Sequence, residues 1–252
     1  MSKTLIKPSL PILDRSNPLT KGLVACYPFF ERGGTKLRDI SGRNNNGILF
    51  NTNWVRTPRG YGLEFNSAYI NIGNSTNFSF GTGDFTISVW FNPTLTTGIC
   101  SLIVKDVAGA RQWRFIIAEN KLQFNSFPSG NAIVSISDVI LNQWNCGIIT
   151  RQSGVMQLYL NGKLEVTVTI PDNYSTTSNV FIGKEEYAGY PYYFSGSMEE
   201  VFISRSPFSS KQAATLYADP WAMYRTRNLY TMGKIPPITT YLRNLALMGV
   251  GQ

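Results

Sequence analysis

The sequence of 252 residues contains no histidine. Ser-His-Asp and Cys-His nucleophile systems are therefore excluded, and so are zinc or iron sites with histidine ligands. The carboxylates also lack the arrangement of a glycosidase. Glu185-Glu186 and Glu199-Glu200 are adjacent pairs, and neighbouring side chains of a strand point to opposite faces of the sheet. We therefore expect the chain not to be an enzyme.

Cysteines and long apolar runs are also scarce. The three cysteines, Cys26, Cys100 and Cys146, lie in apolar, strand-like segments without CxxC spacing. Their odd number and their setting predict buried thiols in a chain made in a reducing cytosol. No run of 18 apolar residues occurs, and the first 20 residues lack a continuous apolar core. We expect neither a membrane-spanning helix nor a secretory signal.

The positive charge lies at the two ends of the chain. Residues 1–40 hold seven basic and three acidic residues, and residues 203–252 hold six basic residues and one acidic residue. The part between them is nearly neutral, with ten basic and eleven acidic residues. Basic ends on a near-neutral body predict docking onto an acidic surface rather than binding to nucleic acid.

Hydrophobic alternation indicates an all-β fold. In Phe85–Pro93, apolar residues at every second position form one strand face, and Trp90 on the other face indicates that both faces are covered. Asn161-Gly162 between two alternating segments predicts a hairpin with a type I′ turn. About a dozen such short segments predict a sandwich or jelly roll. One short helix is expected from Ser209, where Ser-x-x-Gln has the form of a capping box, to Pro220.

Several segments in a fixed order resemble the laminin-G-like, concanavalin-A-like jelly-roll domains. These segments are GLVACYPF at 22–29, DISG at 39–42, NG at 46–47, GLEF at 62–65, DFTISVWF at 84–91, LYLNGK at 158–163, FSGSMEEV at 194–201 and the helix within 207–218. The resemblance implies a jelly-roll sandwich over 22–218. The continuation DPWAMY at 219–224 looks like the ending of such domains in tailed-phage structural proteins. Glu199 departs from the Asp-Glu pair that is usual before the next strand.

Outside the sandwich, we expect two extended arms, residues 1–21 and 219–252, because both are basic and interrupted by prolines. Arms that attach to neighbouring subunits gain affinity through multivalency. The leading hypothesis is a non-enzymatic virion structural protein of a tailed phage, assembled in the host cytoplasm, which decorates or cements the capsid. Its partners would be the major capsid protein or neighbouring copies in a homo-oligomer. The predicted anchoring residues are Lys3, Lys7, Arg15, Trp221, Tyr224, Arg225 and Arg227.

The alternative hypothesis is a carbohydrate-binding adhesin that recognises host surface glycans. The tyrosine-rich loop would carry it, although such a loop also suits a protein contact or packing onto its own sandwich. Its residues are Tyr187, Tyr190, Tyr192 and Tyr193. A structural calcium ion is the one cofactor considered. The oxygen ligands for it would come from Asp39, Ser41, Asn44 and Glu199, and an Asx-rich turn that bonds its own backbone is the other interpretation of the first three.

Overall fold

The computed structural model describes residues 6–106, 112–187 and 190–225. Two antiparallel sheets pack face to face as a jelly-roll sandwich, which confirms the predicted fold class. The elements in chain order are β1 Leu23–Tyr27, β2 Lys36–Leu37, β3 Gly47–Phe50, β4 Asn53–Thr57, β5 Gly60–Phe65, β6 Tyr69–Asn71, β7 Phe85–Pro93, β8 Ile99–Asp106, β9 Trp113–Ala118, β10 Lys121–Ser126, β11 Asn131–Asp138, β12 Asn145–Gln152, β13 Val155–Leu160, β14 Lys163–Thr169, β15 Asn179–Ile182, β16 Lys184–Tyr187, β17 Tyr190–Tyr193, β18 Gly196–Ser204 and α1 Ser210–Ala218.

The first sheet has the order β14-β13-β12-β7-β18-β5-β4, and β1 pairs with the second half of β18. The second sheet has the order β11-β10-β9-β8-β15-β6-β3-β2. Strands β16 and β17 form a separate hairpin. β7 lies in the middle of the first sheet, between β12 and β18. Its alternation works as predicted, because Phe85, Ile87, Val89 and Phe91 enter the core between the sheets while Trp90 packs on the outer side.

The described parts of both terminal arms belong to the folded body. Leu13, Leu19, Met223 and the apolar side of α1 form a second hydrophobic cluster with Trp90 and other residues on the outer face of the first sheet. A β-bridge joins Leu13 to Tyr224, so the two terminal segments also pair with each other. Over residues 6–21 and 219–225 these segments therefore pack on the sandwich of their own chain, and their attachment to neighbouring subunits stays a prediction. The cluster covers one outer face of the sandwich with a third layer.

Local turn and cap predictions hold. Asn161 and Gly162 have φ values of 51° and 77°, as a type I′ turn requires. Ser209 and Gln212 form the predicted capping box of α1. The last strand of the first sheet, β18, is irregular, because its pairing with β7 shifts at a bulge next to Glu199.

The three cysteines are buried and unpaired, as predicted. Burial raises the pKa of all three thiols, and it raises that of Cys100 to about 11, so they are inert at neutral pH. Within the described residues, no helix is both long and apolar enough to span a membrane.

Candidate functional site

The outer face of the second sheet carries a row of aromatic side chains, which we call the aromatic row: Phe50, Tyr69 and Phe181. Leu49, Ile70 and Ile182 alternate with them and fill the core, so the row must point outward. Phe50 and Tyr69 are stacked at 4.5 Å between ring centroids, and Phe181 meets the edge of Tyr69 at 6.0 Å. Phe50 is 38% exposed. The sequence prediction missed this row, because Ile48, Leu49 and Phe50 are all apolar and the sequence does not show which of them faces outward.

The tyrosine-rich segment forms the hairpin β16–β17, which stands beside the aromatic row. Lys184 Nζ lies 4.8 Å from the centroid of the Tyr69 ring and 6.0 Å from that of Phe181. Lys184 is paired directly with Tyr193 across the hairpin, so both side chains project from the same face of the ribbon. The hairpin therefore supplies a cationic and phenolic border to the row.

The four predicted tyrosines all belong to this hairpin. Tyr187 pairs with Tyr190 in the ladder, and Tyr192 and Tyr193 are half-buried. Glu185, on the opposite face from Lys184, is buried and accepts two 3.0 Å hydrogen bonds from the Arg114 guanidinium. This buried ion pair fixes the hairpin onto the second sheet and holds its position next to the aromatic row.

A groove, which we call the basic groove, lies between the 10–15 segment and the β2–β3 edge of the second sheet. Its volume is about 1210 Å³. Four of the residues singled out from the sequence, Arg15, Arg225, Asp39 and Asn44, line it together. Arg15 donates a 2.7 Å hydrogen bond to the Ser41 carbonyl, which ties the N-terminal segment to the turn after β2.

The predicted calcium ligands do not form one cluster. Asp39 is buried, and its two carboxylate oxygens accept four hydrogen bonds from the chain itself: from the amides of Cys26, Ser41 and Asn45 and from the Ser41 hydroxyl. This is the arrangement of an Asx-rich turn. Glu199 does not line the groove and pairs elsewhere. No group of three or more acidic or cysteine side chains in the described ranges is arranged to hold a metal. The calcium site stays a prediction.

Three of the seven predicted anchors are buried in the chain's own fold: Lys7, Trp221 and Tyr224. The Lys7 ammonium donates to the carbonyls of Glu199, at 2.9 Å, and of Tyr61, and lies 5.0 Å from the Trp221 ring centroid. The expectation that these three side chains are exposed for docking is therefore wrong. Among the other predicted anchors, Arg15 and Arg225 are exposed at the basic groove, whereas Lys3 and Arg227 lie outside the described residues.

Arg59 completes this buried charged cluster, and no local sequence pattern identifies it. Its guanidinium lies 4.3 Å from the Trp90 ring centroid and 4.9 Å from that of Trp144, and it pairs with Glu199 at 2.6 Å. The neighbouring Glu200 accepts a hydrogen bond from Tyr224. Burial raises the pKa of Glu200 to about 8, so this carboxyl is largely protonated at neutral pH.

Comparisons with known proteins show which protein family the chain belongs to. The chain is a β-sandwich of the concanavalin A type, and the model of the Laminin_G_3 family, described as the concanavalin A-like lectin/glucanases superfamily, matches residues 65–214. The chain therefore belongs to that family. A comparison with curated protein sequences finds no match.

Similar solved structures include several binding domains. The binding domain of Paraclostridial Mosquitocidal Protein 1 is 18% identical, with a TM-score of 0.65 over 79% of this chain and 52% of that one. The binding domain of botulinum neurotoxin serotype D is 17% identical, with a TM-score of 0.62 over 80% and 52%. This chain therefore spans about half the length of these two. Domain 4 of AbnA, a GH43 extracellular arabinanase from Geobacillus stearothermophilus, solved with arabinotriose, is 16% identical, with a TM-score of 0.62 over 77% and 98%.

Proposed function

We propose that the chain is a non-catalytic carbohydrate-binding protein whose sugar ligand contacts the aromatic row. The observation that carries the proposal is this row on the outer face, in which Phe50 is exposed and Tyr69 and Phe181 are half-buried. Aromatic rings present apolar surface to the C–H groups of a sugar ring, while polar neighbours bind its hydroxyls. The row has such neighbours in Lys184 and in Asn71 of β6, whose side chain shares the outer face with Phe181.

The layering of the fold favours this face. The outer face of the first sheet is covered by the terminal segments and α1, which bury Trp90 and Trp221 in the second hydrophobic cluster. An aromatic surface remains open on the outer face of the second sheet. Support also comes from domain 4 of the arabinanase, because nearly the whole of that sugar-bound domain corresponds to this chain in fold.

Absence of catalysis is part of the proposal. Three buried carboxylates already have partners in the fold: Glu185 has Arg114, Glu199 has Arg59, and Glu200 has the Tyr224 hydroxyl. A glycosidase needs two carboxyl groups that face the substrate, one as acid and one as base or nucleophile. With the lack of histidine, this supports a binding role.

The experiment is titration calorimetry of the full-length chain with arabinotriose, xylotriose, cellotriose and sialyllactose. We expect at least one of these oligosaccharides to bind, and Phe50→Ser to weaken that binding about tenfold, since an aromatic contact contributes roughly 1 kcal/mol or more. The matched control is Ile136→Ser, which removes a 71% exposed apolar side chain from β11 of the same sheet. Binding that is lost equally in both variants would place the sugar elsewhere, and failure of all four oligosaccharides would contradict the proposal.

The virion decoration role stays a prediction. It relied on basic arms as anchors, and three of its seven anchoring residues are now accounted for by the folding of the chain itself. Arg15 and Arg225 remain exposed for a partner. Location in a virion and homo-oligomerisation are likewise predictions.

A further inference from the structure

From the charge and shape of the basic groove, we infer that it binds an acidic, extended peptide segment of a protein partner. The site is separate from the aromatic row and does not depend on the proposed carbohydrate function. Four cationic side chains line the groove: Arg15, Lys36, Arg38 and Arg225. These four residues come from three separate segments of the chain, which the fold brings together.

The carboxylates at the groove offset only part of its positive charge, because four cations face Glu31 and Asp39 in the lining and Asp14, which lies 4.0 Å from Arg225. Glu31 accepts hydrogen bonds from the backbone amides of Phe30 and Arg38, and Asp39 is saturated by the turn that it organises. The side chains of Lys36 and Arg38 are exposed, and in the described part of the chain neither makes an ion pair. The groove therefore presents positive charge that an acidic ligand complements.

The apolar part of the lining favours a peptide over a sugar. Ile12 and Leu10 are 55% and 54% exposed and form an aliphatic wall, whereas the aromatic ring of the groove, Phe30, is half-buried. An extended peptide alternates its side chains, so it can place aliphatic residues on such a wall and carboxylates on the basic rim.

The chain's own C-terminal segment does not have this chemistry. Residues 226–252 follow Arg225 at the groove, but they contain three basic residues and no acidic residue. Like charges at close range oppose binding, so the observations favour an occupant from another protein.

The test is fluorescence anisotropy of the full-length chain with a labelled octapeptide that alternates glutamate and leucine, compared with its glutamine–leucine counterpart. We expect micromolar to sub-millimolar binding of the acidic peptide alone, weakened by salt because the charges are exposed. The double variant Lys36→Gln/Arg38→Gln should weaken binding about tenfold, since it removes two of the four cationic side chains that line the groove. Ile12→Ser should also weaken it.

A charge-matched control separates local contact from general attraction. Lys21→Gln/Lys211→Gln removes the same charge from exposed residues that do not line the groove. Equal loss in both double variants would overturn the inference, as would the absence of binding at 50 mM salt and millimolar peptide. If trigalacturonate binds in the groove and the acidic peptide does not, the ligand is an acidic saccharide and the peptide inference is wrong. None of these outcomes affects binding at the aromatic row, which Phe50→Ser reports.

Discussion

Replacement of Lys7 by methionine tests whether the N-terminal segment is part of the fold. Methionine keeps the length and apolar body of the side chain but removes the ammonium group. Three carbonyl groups, those of Phe29, Tyr61 and Glu199, then lose their donor in a buried site. Lys7 also packs directly on the backbone of Gly60, because a Cβ atom at that position would lie 2.9 Å from the Lys7 Cβ atom.

The magnitude follows from two opposing effects. A hydrogen bond to a charged group contributes about 1.5–3 kcal/mol to stability, and removal of one member of a buried charged cluster costs on the order of 3–5 kcal/mol. Against this, burial lowers the pKa of Lys7 to about 8, which shows that desolvation of the ammonium offsets part of the gain. We expect Lys7→Met to lower the free energy of unfolding by about 2 kcal/mol at pH 7.

The assay is urea denaturation of the full-length chain, together with the rate of proteolysis within residues 6–20. Lys21→Met is the control, because Lys21 is exposed at the end of the same segment. A free energy of unfolding for Lys7→Met equal to that of the control would refute the reasoning. Equal values would instead indicate that Lys7 acts only in docking to a partner.

Three further predictions concern single substitutions. Gly162→Ala should destabilise the chain by about 2 kcal/mol in a denaturant titration, because the position has φ of 77° and a Cβ atom there would lie 2.9 Å from Tyr217. Glu165→Gln should lower the free energy of unfolding by about 1 kcal/mol at pH 7. Burial opposes ionisation of Glu165, but hydrogen bonds from Ser137 outweigh it and lower the pKa of this carboxyl. The difference in stability between variant and wild type should therefore shrink as the pH falls below the unfolded-state pKa. Burial raises the pKa of Glu200 from 4.5 to about 8, so the folded state holds a proton that the unfolded chain releases, and the stability of the wild type should fall by a few kcal/mol as the pH rises from about 4.5 to about 8. Glu200→Gln should abolish this fall in melting curves, and an unchanged pH profile in the variant would contradict the assignment.

The sequence predicted those features that depend on neighbouring residues. The period-two pattern of Phe85–Pro93 identified the central strand, since the alternation of faces is a property of every strand. The turn at Asn161 and the capping box at Ser209 were predictable for the same reason, because each depends on residues within four positions.

What could not be predicted depends on contacts between distant residues. Lys7 donates to a carbonyl 192 residues later in the chain, and that carbonyl is available because a bulge interrupts β18. A basic, proline-containing segment with no periodicity has the composition of an exposed arm, and the buried position of Lys7 becomes visible only with the full fold. The aromatic row is an intermediate case. The outward position of Phe50 and Tyr69 follows from alternation once Leu49 and Ile70 are known to face the core, but their adjacency depends on the pairing of β3 with β6.

The most direct test of the central claim is an NMR titration of the isotopically labelled full-length chain with the tightest-binding oligosaccharide. Binding at the aromatic row predicts amide shift changes concentrated in 49–50, 69–71 and 179–184, with little change in 10–15 and 36–46. Shift changes confined to the basic groove, or spread over the first sheet, would contradict the assignment of the sugar site to the aromatic row.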